Sequence, residues 1–202
     1  IKINLFIVSS FMALKKVYFF INRIDEINLD QVKKTGAILI IRKPEKNSHK
    51  NLRNFVLNCR KKKISFFVAN NVKLLFSLKT NNLYISAWNK SFYKHLKILN
   101  KNIQIIGSAH NVKEIKEKID QGCSQIFLSR IFKTNYPLKK TFLGKIKFNL
   151  LTRYFQVGYV ALGGIKSKNF NQTKDLNIVG CAISSDKKKA GKYIPAFFKK
   201  TF

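Results

Sequence analysis

The sequence predicts an α/β chain folded as a single (β/α)₈ TIM-type barrel with parallel strands. Three observations carry that prediction. Eight short apolar runs rich in β-forming residues recur along 202 residues. Most of them are near-continuously apolar, as strands buried on both faces must be. Polar stretches with helical patterning separate them. Strict β–α alternation implies a parallel sheet, either closed or open and doubly wound, and a count of eight favours closure.

The runs fall, in order, at 17–21, 37–41, 64–68, 83–86, 103–107, 125–128, 159–162 and 178–181. After the second, Leu52, Phe55, Val56 and Cys59 share one helical face. After the fifth, Val112, Ile115 and Ile119 do the same. Asn111 with Glu114 gives that fifth helix a capping-box start, and Gly122 marks its end. No linker or fixed-period repeat divides the chain, and its three prolines are scattered. A length of 202 residues sits at the lower size limit for such barrels.

Residues 3–14 are apolar, but too few for the roughly 20 that a spanning helix needs. With Lys2 ahead they weakly resemble a signal-peptide core, yet no small-residue cleavage site follows. Met12 is therefore read as the start, with 1–11 an upstream extension and 12–202 the barrel. No membrane partner is expected. Cys59, Cys123 and Cys181 form no close pair and no metal-binding motif, so buried thiols in a reducing cytoplasm are expected.

Composition excludes disorder, since 46% of residues are hydrophobic. Charge is less usual: 40 Lys and Arg against nine Asp and Glu give a net +31. Such a balance ordinarily points to nucleic acid or an anionic membrane. Here the lysines are spread along the chain, and Asn, Ile and Phe are inflated with them. All four have A- and T-rich codons, so a skewed genome accounts for the bias without a nucleic-acid partner. The charge still favours phosphorylated small-molecule substrates.

In a parallel barrel the site lies at the C-terminal ends of the strands, and phosphate is often held after strands seven and eight. Strand seven ends Ala161-Leu162-Gly163-Gly164-Ile165, whose glycines let the backbone close around an anion. Strand eight runs into Cys181-Ala182-Ile183-Ser184-Ser185, where a Ser can cap a short helix facing the ligand. Strand five ends Ser108-Ala109-His110-Asn111. Two readings of it stand open: a helix cap at Asn111 with an incidental histidine, or a hydroxyl and an imidazole facing the mouth. After strand six comes a polar loop, Leu128 to Pro137, of the kind that closes over a ligand. Arg42 and Lys43 end strand two and would grip a second phosphate group.

Taken in this order, these segments resemble the thiamine phosphate synthase/TenI family. Ile105-Ile106-Gly107-Ser108-Ala109-His110 is similar to that family's Ser-Ala-His segment, and Phe132-Lys133-Thr134 to its Val-Phe-x-Thr loop. Ala161 to Ile165 matches its Ala-Ile-Gly-Gly-Ile strand, and Val179 to Ser185 its Gly-x-Ala-x-x-Ser ending. The resemblance is clearest over 103–185 and thinner over 17–102. It implies a transferase of thiamine biosynthesis that joins hydroxymethylpyrimidine pyrophosphate to thiazole phosphate and releases pyrophosphate, with Mg²⁺ on the pyrophosphate. By carry-over, Thr134, Gly163, Gly164, Ile183 and Ser184 would hold the thiazole phosphate. Arg42, Lys43, Asn70 and Ser108 would face the pyrimidine pyrophosphate. Ser108, Arg42 and His110 would be the catalytic set.

The sequence departs from the family pattern on the pyrophosphate side. The family's Gln-x-Arg reads Ile40-Ile41-Arg42, its Asn-Asp-Arg reads Ala69-Asn70-Asn71, and its His-Leu-Gly-Gln-x-Asp reads Tyr84-Ile85-Ser86-Ala87-Trp88-Asn89. The metal-binding aspartates thus become Asn70 and Asn89. The nine carboxylates are Asp25, Glu26, Asp30, Glu45, Glu114, Glu117, Asp120, Asp175 and Asp186, and none lies near the ends of strands three or four. Mg²⁺ prefers hard oxygen ligands including one or two carboxylates, so the site is expected to be degenerate for metal. Three functions follow: a divergent synthase, a TenI-like thiazole-phosphate binder or isomerase without synthase chemistry, and, more remotely, a basic nucleic-acid-binding barrel.

Overall fold

Each of the eight apolar runs forms a strand. The computed structural model describes residues 16–25, 27–134 and 141–184. The expectations for residues 1–11, Met12, Ser185 and the Asn135–Pro137 end of the strand-six loop lie outside the described residues. The strands are β1 (Lys16–Ile21), β2 (Ile38–Ile41), β3 (Phe66–Ala69), β4 (Asn82–Ile85), β5 (Gln104–Ala109), β6 (Gln125–Ser129), β7 (Gly158–Leu162) and β8 (Gly180–Ser184). Each pairs in parallel with the next, and β8 closes on β1 with Phe19 opposite Ile183 and Phe20 opposite Ser184. The eighth strand sits further along than the expected 178–181. Ile178 and Val179 lead into it, and the Val179 carbonyl accepts from Lys16 N at 3.1 Å.

Strand alternation sends every second side chain inward. Tyr18, Phe20, Ile40, Phe67, Tyr84, Ile106, Phe127, Val160 and Ala182 fill the interior. Phe127 is its hub, edge-on to Tyr18, Phe20 and Tyr84 with centroids 4.9, 5.8 and 5.7 Å away. Such pairs contribute about 0.5–1.5 kcal/mol each beyond area burial. The centre is therefore packed, and ligands must bind at its ends.

Six helices lie among the described residues: α1 (Leu29–Thr35), α2 (His49–Lys61), α3 (Val72–Ser77), α4 (Leu96–Leu99), α5 (Val112–Asp120) and α6 (Gly144–Tyr154). A 3₁₀ segment, Ser167–Thr173, replaces a helix between β7 and β8. In α2 the Ser48 hydroxyl caps Asn51 N at 3.2 Å, and Leu52, Phe55, Val56 and Cys59 are buried as the periodicity predicts. Asn111 caps α5, accepting from Glu114 N at 2.9 Å.

The face expected on α5 needs one correction. Val112 is 45% exposed, whereas Lys118 is fully buried beside Ile115. A hydropathy pattern assigns lysine to solvent and cannot see a neutral acceptor waiting behind it. Gly107 of β5 makes the room: a Cβ there would meet Lys118 Cδ at 2.9 Å and Cys123 Sγ at 2.8 Å.

Candidate active site

Continuing the inward alternation past the core brings Asn22, Arg42, Ser86, Ser108 and Ser129 to the C-terminal ends of their strands. Ser108 is 5% exposed, and its Oγ lies 2.5 Å from the Tyr84 hydroxyl. Burial pushes the Tyr84 phenol up to about 12, against the opposing pull of its bond to Ser108 and the charge of Arg42. Tyr84 is thus a neutral phenol at ordinary pH. Held by it, Ser108 keeps hydrogen-bonding capacity for a ligand.

Arg42 is exposed at the mouth. Its backbone N donates to the Ile21 carbonyl at 2.8 Å, and its guanidinium carbon sits 5.8 Å from the Phe20 ring centroid. That cation–π contact rests the charge over the aromatic core. Lys43 is exposed and precedes the 3₁₀ turn Pro44–Lys46. Asn22 presents a buried Oδ1 with no hydrogen-bond partner. The sequence reading missed Asn22, although counting two residues on from Phe20 would have found it.

Asn70 follows β3 with φ of 55°, a left-handed conformation that Asn tolerates. Its amide locks onto the end of β4: Nδ2 donates to Ser86 Oγ at 2.6 Å, while Oδ1 accepts from Ser86 N at 2.9 Å and Asn89 Nδ2 at 3.3 Å. Asn89 is buried; its Nδ2 also donates to the Tyr93 hydroxyl at 2.9 Å, and its Oδ1 accepts from Ser91 N at 2.9 Å.

On the opposite arc, Gly163 and Gly164 have φ of 94° and 73°. A Cβ on Gly164 would lie 2.5 Å from the Phe132 carbonyl oxygen, and one on Gly163 would lie 2.7 Å from Arg130 Cγ. The pair therefore lets the strand-six loop close over strand seven. Phe132 N donates to Gly163 O at 3.1 Å, and Asn169 Nδ2 to Gly164 O at 2.8 Å. Thr134 Oγ1 accepts from Arg130 at 3.2 Å, which brings a guanidinium to this arc. Ile183 packs outward against the helical layer, so any contact it makes with an anion would be through its backbone. Ser184 pairs with Phe20 at the end of β8.

His110 turns elsewhere. Its side chain is 45% exposed and its Nδ1 lies 2.8 Å from Glu114 Oε2, which also accepts from His110 N at 2.8 Å. The structure thus gathers Arg42, Asn70 and Ser108 with Tyr84 and Ser86, gathers Thr134, Gly163 and Gly164 around Arg130, and gives His110 to the start of α5. A separate cavity of about 300 Å³, lined in part by Lys16, Tyr18, Asn82, Gln104 and Gln125, opens at the N-terminal end of the barrel.

These residues do not suit Mg²⁺. The side-chain oxygens of Asn70 and Asn89 both accept hydrogen bonds from the chain itself. No group of three or more His, Cys, Asp or Glu able to hold a metal occurs among the described residues. Nor does any described helix have the length and apolarity to cross a membrane.

A closed parallel barrel with a polar, arginine-bearing C-terminal mouth places the chain in the (β/α)₈ class that works at its strand ends. It belongs to the family described as thiamine monophosphate synthase, whose model matches residues 18–186. A thiamine-phosphate synthase of Prochlorococcus marinus strain AS9601 is 33% identical over 84 residues, which are 41% of this chain and 24% of that protein. One from Latilactobacillus sakei is 29% identical over 130 residues, 63% of this chain and 58% of that protein. The chain thus spans about a quarter of the first relative's length and little more than half of the second's. Thiamine phosphate pyrophosphorylase from Pyrococcus furiosus superposes with a TM-score of 0.69 at 16% identity, covering 93% of this chain and 95% of that one. N-(5'-phosphoribosyl)anthranilate isomerase from the same organism gives 0.67 at 12% identity, with 93% and 98% covered. At such identities the superpositions speak for the fold.

Proposed function

We propose that this chain is a thiamine-biosynthetic transferase that joins the pyrimidine methylene of hydroxymethylpyrimidine pyrophosphate to the ring nitrogen of thiazole phosphate. The observation that carries the reading is Ser108, buried at the mouth, hydrogen-bonded to neutral Tyr84 and neighboured by the Arg42 charge. Arg130, Thr134 and the Gly163–Gly164 backbone form the facing arc, suited to the second, singly phosphorylated substrate.

In the reaction the methylene C–O bond breaks and its electron pair leaves with pyrophosphate. The ring-nitrogen lone pair then forms the C–N bond, giving a thiazolium. Little covalent chemistry is asked of the protein; it must align two ligands and neutralise the departing charge. Arg42 would meet that charge, and Ser108 would donate to it. The dry aromatic floor of Phe20, Tyr84 and Phe127 would keep water from trapping the pyrimidine cation.

The test is to supply the full chain with both substrates and look for thiamine phosphate above a no-enzyme blank. Product is expected; none at any Mg²⁺ concentration would overturn the reading. A second reading is favoured by the self-satisfied Asn70 and Asn89 amides: a relative that binds thiazole phosphate without synthase chemistry. Thiazole phosphate binding with no product would select it.

A further inference from the structure

At the ends of β3 and β4 the chain builds one connected cluster from Asn70, Ser86, Asn89, Tyr93, Lys118 and Gln121. Asn70 bridges to Ser86 and Asn89, and Asn89 to Tyr93. Behind them the fully buried Lys118 donates from Nζ to the Asn89 carbonyl and to Gln121 Oε1, both at 2.7 Å. Gln121 Nε2 donates in turn to the carbonyls of Asn89 and Ser91, at 3.0 and 2.8 Å. The loop after β4 is thus tied from beneath by a lysine and a glutamine.

A fully buried ammonium whose direct partners are two neutral oxygens is costly, and the chain makes room for it with Gly107. A divalent cation at Asn70 and Asn89 would have to strip Oδ1 of both residues of their present donors. It would also sit close to the Lys118 ammonium, and the carboxylates that act on that ammonium, Glu117 and Glu114, are engaged with Lys90 and His110. For an anion the same field is attractive, and the charge of Arg42 acts on Tyr84, two residues before Ser86 on the same strand end.

We propose that the corner where this family would hold its metal has been rebuilt here as a metal-free support, in which buried Lys118 positions the Asn89 loop and supplies the fixed positive charge. The pyrophosphate-bearing substrate then binds without Mg²⁺. This rests on the reading that this half of the mouth takes a pyrophosphate ester.

The experiment is calorimetric titration of the full chain with inorganic pyrophosphate, in EDTA and in excess Mg²⁺, beside a Mn²⁺ titration followed by electron paramagnetic resonance. Pyrophosphate is expected to bind in EDTA and to bind less tightly in Mg²⁺, because Mg²⁺ removes part of the ligand's negative charge. Mn²⁺ should show no stoichiometric site. Lys118→Met keeps the length and removes the charge; it should weaken pyrophosphate roughly fivefold or more. Binding only in Mg²⁺, a stoichiometric Mn²⁺ site, or no pyrophosphate binding in either buffer would overturn the proposal. Unchanged pyrophosphate affinity in a folded Lys118→Met protein would overturn it as well; if that variant does not fold, the two titrations on the unaltered chain still decide whether the corner works without metal. Failure of the synthase reading looks different: no thiamine phosphate forms, while pyrophosphate still binds in EDTA.

Discussion

The Tyr84 hydroxyl and Ser108 Oγ stand 2.5 Å apart on neighbouring strands, at the boundary between the aromatic core and the polar mouth. Removing either oxygen should therefore separate stability from turnover. Tyr84→Phe leaves the ring against Phe20 and Phe127 and should cost about 1 kcal/mol of stability by urea unfolding. In the assay with both substrates it should lower kcat/KM roughly tenfold, the rate equivalent of one such bond. Unchanged turnover in a folded Tyr84→Phe protein would place Ser108 outside the chemistry.

Gly164 gives a prediction about the facing arc. Its positive φ and its approach to the Phe132 and Lys133 carbonyls leave no place for a Cβ. Gly164→Ala should destabilise by about 1–3 kcal/mol through strain and loosen the strand-six loop. Gly163→Asp should do more, adding a carboxylate where an anion would sit, and thiazole phosphate binding should be lost by calorimetry. If Gly163→Asp retains that affinity, the phosphate does not rest on this turn.

How far the sequence discloses these arrangements depends on which interactions are local. Eight apolar runs and the Leu52–Cys59 face follow from periodicity, because burial on a barrel repeats along the chain. Lys118 escapes it: Asn89, whose carbonyl it reaches, and Gly107, which leaves it room, come from other elements, and only the fold shows that a lysine can end on a carbonyl there. The Ser108 and Asn70 positions are readable from strand ends, whereas their locking to Tyr84 and Ser86 depends on register between strands. Asn111 as a helix cap is local and evident; the choice His110 makes between mouth and Glu114 is not.

Alkaline pH should unfold the protein. Burial pushes the phenols of Tyr18, Tyr84 and Tyr159 from 10.0 up to about 12, and the thiols of Cys59 and Cys123 from 9.0 up to about 12. Folded values above unfolded ones mean that their contribution is complete below the unfolded values and is lost as pH rises toward 12. Lys118 works the other way: burial lowers its value below 10.5, so the cost of its charge is relieved as pH rises. Five groups oppose one. Circular dichroism and the share of tyrosinate absorbance that comes from these three buried phenols should change together, in one cooperative step between pH 10 and 12, while exposed Tyr154 adds its own absorbance independently of the fold. Ionisation of all the tyrosines, Tyr18, Tyr84 and Tyr159 included, near 10 with the fold intact would contradict the burial of these three side chains.

His110 decides between the two readings that its position allows. The imidazole could act on a substrate only by leaving Glu114, to which both its Nδ1 and its backbone N are joined at 2.8 Å. An exposed pair of this kind contributes little, typically 0–1 kcal/mol. His110→Ala should therefore lower stability by less than about 1 kcal/mol, and kcat/KM should stay within roughly twofold, far below the hundredfold or more that loss of a general acid or base brings. The pH dependence of kcat/KM should likewise show no change on substitution. A hundredfold fall with the fold preserved would mean that the imidazole swings to the mouth when substrate binds. The Glu114 contact would then be its resting position, and Glu114→Gln would be expected to alter the pH profile through His110.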